Sequence, residues 1–215
     1  AAALEASAKA TIKMGELAID EIKETQKFFN TKSGKYRASA AQLEDAVNTL
    51  DSKITEYLTS ISHNAVSPDD IDAFLGNIQV VKNLERIGDI AMNLNEFYDM
   101  VYDDKGLFTE QAMQDVNEMY ELIIRMMDFS IGYFMEPDES LRMVMSEKED
   151  ELDLLFEKAK RRHFARMSKN ECSDPIASSI YVDILSNLER MGDHTHNIIK
   201  LLHDPTPHHE LKAEA

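Results

Sequence analysis

The sequence is poor in residues that break or cross-link secondary structure. Its 215 residues include one cysteine, five prolines, seven glycines and no tryptophan. A single cysteine, Cys172, excludes a disulfide framework within the chain and a zinc site built from several cysteines. We find no signal-peptide pattern and no apolar run near the roughly 20 residues of a membrane-spanning helix. These absences predict a globular chain suited to a reducing compartment.

Basic residues are also few. Lys and Arg number 23 against 40 Asp and Glu, which gives a formal net charge of −17. A field of this sign repels a nucleic-acid backbone, so we expect no nucleic-acid partner. The surplus carboxylates suit cations or basic partners instead. With 43% hydrophobic residues the chain is expected to fold rather than to remain disordered.

Helical patterns fill the long segments between the few breakers. These segments are rich in Ala, Leu, Met, Glu and Lys, and their apolar residues recur at helical spacing. No segment alternates apolar and polar residues over strand length, so we predict an all-α fold. Gly34 is interpreted as the stop signal of the first helix. The predicted helices cover about 4–29, 38–62, 68–102, 110–134, 139–168 and 175 to before Pro205. Short loops between long helices indicate antiparallel neighbours in a bundle.

An internal repeat divides the chain. The stretch NLERIGD at 83–89 recurs as NLERMGD at 187–193, 104 positions further along, with six of seven residues identical. The first and fourth helices align at an offset of 105, and we align Asp51 with Asp153 at 102. The sequence therefore predicts two copies of a three-helix unit, residues 1–106 and 107–215.

The repeated stretch places carboxylates one helical turn apart. Side chains four positions apart share a helix face, so the repeat predicts two oxygen-rich strips: Glu85, Asp89 and Asn93 in the first half, and Glu189, Asp193 and Asn197 in the second. Neighbouring carboxylates repel each other unless a positive charge lies between them. Carboxylates on facing bundle helices build di-iron sites, and oxygen ligands favour iron, manganese, magnesium or calcium. The alternative is that these acids are ion-paired or solvated.

Two glycines accompany the strips. Gly88 and Gly192 lie inside helices, where glycine is about 1 kcal/mol less favourable than alanine. Their repetition between the two acids indicates either close helix packing or room for a ligand.

The helix that faces each strip is expected to supply further acids. In the second half Glu149 and Asp153 form a strip of their own. In the first half Asp51 is present, but Val47 stands where Glu149 is expected, with Glu44 and Asn48 as the nearest substitutes. The first site is therefore predicted to be the poorer one.

One histidine is a further candidate ligand. His196 follows Asp193 by three positions, and it is interpreted either as a ligand or as a buried structural histidine.

Catalytic motifs are missing from the sequence. We find no Gly-rich phosphate loop, no nucleophile elbow and no paired Glu-x-x-His motifs of the di-iron oxidase kind. Cys172 lies in a polar loop and is expected to pack rather than to react. We therefore predict that the chain is not an enzyme.

The doubled Leu-Glu-Arg-hydrophobic-Gly-Asp motif, closed by Asn four residues on, resembles the signature of the PhoU family of phosphate regulators. The resemblance implies two tandem three-helix bundles, PhoU-like and spectrin-like, and a regulatory role. It also implies bound and multinuclear metal, foremost iron, with manganese, zinc or magnesium as alternatives. The ligands implied are Glu85, Asp89, Glu189 and Asp193, followed by Asp51, Glu149 and Asp153.

Within that family two branches compete. Residues 64–70, NAVSPDD, depart from the Gln-Gln-Pro segment of stand-alone members. Residues 162–166, Cys172 and 181–190 are instead similar to the cytosolic C-terminal domain of bacterial sodium/phosphate cotransporters. That branch implies a cytoplasmic domain at the inner face of the membrane, docked on its own membrane domain, and the missing initial Met fits excision from such a protein.

The alternative branch is a stand-alone negative regulator of phosphate uptake. It implies a cytoplasmic protein that acts on an ABC transporter and a sensor kinase. A homodimer is a further expectation for either branch.

Overall fold

The computed structural model describes residues 2–63, 67–172 and 174–203. Those residues form six helices and no strand: α1 (Ala2–Thr31), α2 (Gly34–Ser62), α3 (Pro68–Asp103), α4 (Glu110–Met135), α5 (Glu139–Ser168) and α6 (Pro175–His203). The all-α prediction is confirmed. Residues 64–66 of the NAVSPDD segment lie outside the described residues.

Local chemistry explains where the helices begin. Ser67 caps α3 by accepting a hydrogen bond from the Asp70 amide at 3.1 Å, and Pro68 occupies the first turn. Thr109 caps α4 and Asp138 caps α5 in the same manner. These three starts agree with the sequence pattern because capping is a local interaction.

The first turn differs from the prediction. Gly34 was expected to end the first helix, but α1 ends at Thr31 and Gly34 begins α2. Lys32 takes the left-handed backbone conformation at the turn, with φ of 59°. The helix break therefore needs no glycine, and α2 starts four residues earlier than the apolar pattern indicated.

The two halves are three-helix bundles that share one core. In each half the three helices pack against one another, and the halves meet through α1 against α4 and α3 against α6. Helices α2 and α5 flank this central group, and the buried side chains of both halves form a continuous cluster. The tandem-bundle prediction is confirmed, and the proposed boundary at 106/107 stays a prediction.

Polar contacts also join the halves. The hydroxyls of Tyr98 and Tyr120 lie 2.5 Å apart. Nδ1 of His194 on α6 lies 3.0 Å from Oδ1 of Asn83 on α3. The second contact is not repeated with the halves exchanged, because Ile90 occupies the position of His194 in the first half.

The pattern of buried residues corrects the predicted alignment of α2 with its equivalent in the second half, α5. The two patterns coincide at an offset of 105, with the buried pairs Ala40/Met145, Val47/Leu152, Ile54/Ala159 and Leu58/His163. Glu44 then corresponds to Glu149, and Asp51 corresponds to Phe156 rather than to Asp153. The predicted offset of 102 matched a Leu-Asp pair by identity, but the buried face of a helix sets its register.

None of the helices in the described ranges combines the length and apolarity that crossing a bilayer requires.

Candidate metal centre

The first carboxylate strip lies where α3 faces α2. Glu85 is half-buried and Asp89 is exposed, one turn apart on α3. Asp51 approaches from α2, and its Oδ1 lies 3.6 Å from Nζ of Lys82. The strip therefore combines acids from two helices with one neighbouring lysine.

Two further carboxylates lie beneath this strip. Glu21 of α1 is fully buried and Glu44 of α2 is nearly so, and both approach Gly88 of α3. A Cβ added at Gly88 would overlap the Glu44 carboxylate and lie 3.1–3.2 Å from the two Glu21 oxygens. Gly88 thus provides space for a carboxylate pair inside the first bundle.

The buried pair has few donors around it, and a hydrogen bond from the Asn48 side chain lowers the pKa of Glu44 against the effect of burial. Among the described residues, neither oxygen of Glu21 nor Oε2 of Glu44 has a hydrogen-bond partner. Two ionised carboxylates cannot donate to each other, whereas a proton on one of them, or a cation between them, satisfies both.

Burial therefore raises the pKa values of these acids. It raises the pKa of Glu21 to about 11, with Glu44 and then Asp89 adding to the effect. Burial is also the main cause that raises the pKa of Glu44. It raises the pKa of Glu85 to about 7, and Asp89 and Asp51 add to the shift while Lys82 opposes it. Without a cation, this cluster holds protons at neutral pH.

The second strip lies between α5 and α6. Glu189 and Asp193 are half-buried on α6, and burial is the first cause that raises the pKa of each. The charges of Asp153 and Glu149 on α5 also raise both values. The four predicted second-half acids therefore share one region of the structure.

Glu149 has a second neighbour there. Its carboxylate contacts Nδ1 of His196, which is buried. Burial lowers the pKa of His196, and the charge of Glu149 partly offsets that effect. His196 therefore lies beside the acids. This position is compatible both with a buried structural histidine and with a metal ligand.

The two halves are built differently at their centres. Met126 stands at the position of Glu21, and Met92 stands at the position of His196. A Cβ at Gly192 would overlap the Leu152 side chain, not a carboxylate. The first half thus adds a buried carboxylate pair, whereas the second half adds a histidine.

Among the described residues, neither half presents a preassembled set of metal ligands. In the described ranges, no three or more His, Cys, Asp or Glu side chains are grouped so that they could hold a metal ion. Asn93 is exposed and Asn197 half-buried, one turn beyond Asp89 and Asp193. The partnerless buried oxygens and the space left by the missing side chain of Gly88 nevertheless fit a cation that prefers oxygen ligands. Binding it requires the side chains to rotate towards it.

Sequence reasoning missed Glu21. It lies seven residues after Met14 and seven before Phe28, on a stripe whose other members are core residues. The available signal was a carboxylate on a stripe of core residues, at a position that Met126 occupies in the second half.

The difference between the two glycines leads to a prediction. Gly192→Ala should lower the free energy of unfolding by about 1–3 kcal/mol, because the new methyl group overlaps the buried Leu152. Gly88→Ala meets only the ends of Glu side chains, so the gain in helix propensity of about 1 kcal/mol should offset its strain. Urea denaturation of both variants measures the difference. Equal losses would show that both glycines serve helix packing alone.

Fold and site together define a class of protein: a duplicated three-helix bundle with a carboxylate strip repeated in each half. A family model described as the PhoU domain matches residues 11–97 and again residues 116–202. The two matches cover most of the chain, which therefore belongs to the PhoU domain family.

Curated relatives agree with this assignment. A phosphate-specific transport system accessory protein PhoU homolog 1 of Thermotoga maritima is 27% identical over 116 residues, 54% of this chain and 49% of that protein. A PhoU homolog of the same description from Aquifex aeolicus is 24% identical over 159 residues, 74% of this chain and 71% of that protein. The alignment thus spans about half the length of the Thermotoga protein.

Solved structures share the fold. PhoU from Pseudomonas aeruginosa superimposes with a TM-score of 0.84 at 19% identity, covering 94% of this chain and 95% of that chain. The phosphate transport system regulatory protein PhoU from Streptococcus pneumoniae gives 0.81 at 16% identity, covering 94% and 96%.

Proposed function

We propose that this chain is a PhoU-type regulator of phosphate transport that works by binding rather than by catalysis. The observation that carries the proposal is the PhoU domain match in both halves, on a fold shared along nearly the whole chain. The relatives are named as accessory proteins of a phosphate-specific transport system, and these names supply the process and the class of partner.

We further propose that the two carboxylate regions hold metal ions. In the first half Glu85, Asp89, Asp51, Glu44 and Glu21 would serve, and in the second half Glu189, Asp193, Glu149 and Asp153, with His196 beside them. Raised carboxylate pKa values and partnerless buried oxygens support this proposal. A bound cation would neutralise the repelling charges and would give the buried oxygens a partner. Oxygen donors suit iron, manganese or magnesium, and a bound cation would supply the positive charge that these acids lack.

The relatives favour one branch of the family. Their names describe accessory proteins of a phosphate-specific transport system, which fits a regulator that docks on phosphate transport components. The cotransporter assignment is supported only by the similarity of residues 162–166, Cys172 and residues 181–190. We therefore place the accessory regulator first and keep the cotransporter domain, docked at the inner membrane face, as the second candidate.

Phosphate uptake by cells tests the proposed function. Deleting the gene should raise the initial rate of radiolabelled phosphate uptake severalfold in phosphate-rich medium, because a negative regulator is removed. The gene restored at native level should return the rate to normal. An unchanged rate, with loss of the protein shown by blotting, would contradict the proposal.

A second strain separates the two branches. If the chain is an accessory regulator, deletion should have no effect on uptake in cells that lack the ABC phosphate transporter. If it belongs to a sodium/phosphate cotransporter, deleting only the segment that encodes this chain should still raise uptake there, and that uptake should require sodium.

A further inference from the structure

An open cleft lies at the end of the molecule where α1 and α3 begin and where α4 and α6 end. Its volume is about 460 Å³, within the range of sites that accept a ligand or a partner's side chains. Most of its lining is apolar, with Leu4 of α1, Phe134 of α4 and Leu202 of α6 around Ala73 and Gly76 of α3. None of the candidate metal ligands lines this cleft, so the metal proposal does not account for it.

A glycine that packing does not require keeps the cleft open. A Cβ added at Gly76 would meet only Cδ2 of Leu202, at 3.5 Å, which is an ordinary contact. At Gly15 of α1, by contrast, an added Cβ would overlap Ile131. Glycine inside a helix is less favourable than alanine, and at Gly76 no close approach of a neighbouring helix offsets that cost. The absence of a side chain there serves the open space itself.

The same place is filled in the second half. At the offset of 104 that relates α3 to α6, buried Ile180 stands at the position of Gly76. At the offset of 105 that relates α1 to α4, Met113 stands at the position of Ala8, which lines the cleft, and Met113 packs against the core. The duplicated fold can therefore close this site with ordinary apolar residues, and the first half leaves it open.

The charge at the cleft is negative. Glu5 and Asp72 line it, and Glu5 is paired with Lys9 at 2.9 Å. Asp72 forms no ion pair among the described residues. Ile176 stands at the position of Asp72 in the second half, so the fold itself does not need an acid there. An occupant that complements this cleft combines an apolar group with a neighbouring positive charge.

We propose that the cleft docks a basic segment of a partner protein, with a large apolar side chain over Gly76 and an adjacent Lys or Arg paired with Asp72. A large side chain buried in a pocket and surrounded by polar contacts is typical of interface hot spots. The carboxylates favour a basic segment over an acidic one, and they repel an anionic membrane surface.

The proposed function restricts the kind of partner. Cytoplasmic loops of membrane proteins carry an excess of Lys and Arg, so a membrane component of a transport system offers segments of this chemistry. The class of partner thus rests on the proposed function, whereas the cleft and the chemistry of its occupant do not.

Selection from a random peptide library displayed on phage tests the occupant. The library is selected in parallel on wild type and on Gly76→Ile, which introduces the residue that fills the second half. Wild type should enrich sequences that place Phe, Leu or Met beside Lys or Arg, and Gly76→Ile should not. In fluorescence anisotropy, a synthetic peptide of the most enriched sequence should bind Gly76→Ile at least about tenfold more weakly. Asp72→Asn should weaken binding about threefold or more at low salt.

Matched variants separate the cleft from the acidic surface as a whole. Gly34→Ile makes the same change at an exposed glycine whose added Cβ meets no atom within 4 Å, and it should bind the peptide like wild type. Glu96→Gln removes a charge from an exposed position of α3 and should also bind like wild type. Ala8→Met copies Met113 and closes the cleft from α1, so it replaces Gly76→Ile if that variant fails to fold.

Several outcomes would overturn the proposal. No enriched motif on wild type, or equal enrichment on wild type and Gly76→Ile, would show that the cleft does not dock a peptide. Enriched sequences without Lys or Arg would assign it to a neutral occupant. A wild-type dimer in sedimentation that becomes a monomer in Gly76→Ile would assign it to a second copy of the chain. These measurements use purified protein, so they stand or fall independently of the phosphate-uptake result.

Discussion

Replacing Glu21 with methionine is expected to raise the free energy of unfolding of the metal-free protein by about 1–4 kcal/mol at neutral pH. Glu21 is fully buried, both of its oxygens lack partners, and Met126 fills the corresponding position in the second half. Methionine has a similar size and needs no donor, so the substitution removes a desolvation penalty without leaving a cavity. Urea denaturation after treatment with chelator measures the change.

The pH dependence identifies the cause of that gain. The pKa of Glu21 rises from an ordinary value of 4.5 to about 11 on folding, so its contribution is fully present below pH 4.5 and is lost as pH rises towards 11. Glu85, with a pKa of about 7, adds to the loss between pH 4.5 and 7. One such group changes stability by at most about 1.4 kcal/mol per pH unit. Stability of metal-free wild type should therefore fall with rising pH, and less steeply in Glu21→Met.

An exposed glutamate on the same helix provides the control. Glu16 is exposed, and its Oε2 lies 3.8 Å from Nζ of Lys13 in a surface ion pair. Glu16→Met should leave both the stability and its pH slope within about 0.5 kcal/mol of wild type. A loss of stability in Glu21→Met, or an unchanged pH slope, would show that Glu21 is not the buried proton-holding group described above.

Bound metal is expected to disappear in stages as the two strips are neutralised. Protein purified without chelator, nickel resin or added metal should contain iron or manganese at one or more per chain by mass spectrometry. The pair Glu189→Gln and Asp193→Asn should remove the metal of the second half, and the pair Glu85→Gln and Asp89→Asn that of the first. Both pairs together should reduce the content to background, because amides lack the charge that a divalent ion requires.

Matched exposed acids separate ligation from general charge. Glu96→Gln on α3 and Asp183→Asn on α6 make the same chemical change at exposed positions of the same helices, and they should leave the metal content unaltered. Chelation should lower the midpoint temperature of wild type but not of the fourfold variant, since ligands that bind only the native state stabilise it. If wild type holds no metal even after anaerobic loading with iron(II), the metal proposal fails and the strips are solvated acids.

Two other interpretations of the acids make different predictions. A metal store would load far more iron than one or a few ions per chain, and a metal-dependent enzyme would show turnover that is lost with Glu189 and Asp193. A helical scaffold with solvated acids would leave metal content and stability unchanged when Glu189 and Asp193 are replaced. The mass spectrometry and denaturation series therefore distinguishes these interpretations from the regulator proposal.

The sequence alone determined what depends on local interactions and on self-similarity. Apolar spacing between the few breakers predicted the number of helices and most of their ends, because it acts within one or two turns. The repeat at 83–89 and 187–193 identified the duplication. It also identified the four acids Glu85, Asp89, Glu189 and Asp193 on α3 and α6.

Only the tertiary structure decided what depends on which helices face each other. Matching one Leu-Asp dipeptide in α2 to one in α5 gave a repeat offset that was wrong by three positions. A dipeptide match carries less information than the set of residues that a packed helix buries. Glu21 is distant in sequence from Glu44 and Gly88, and no local pattern reveals that the three meet. Gly88 and Gly192 are equivalent in sequence, yet one lies against carboxylates and the other against Leu152, because the residues opposite them differ.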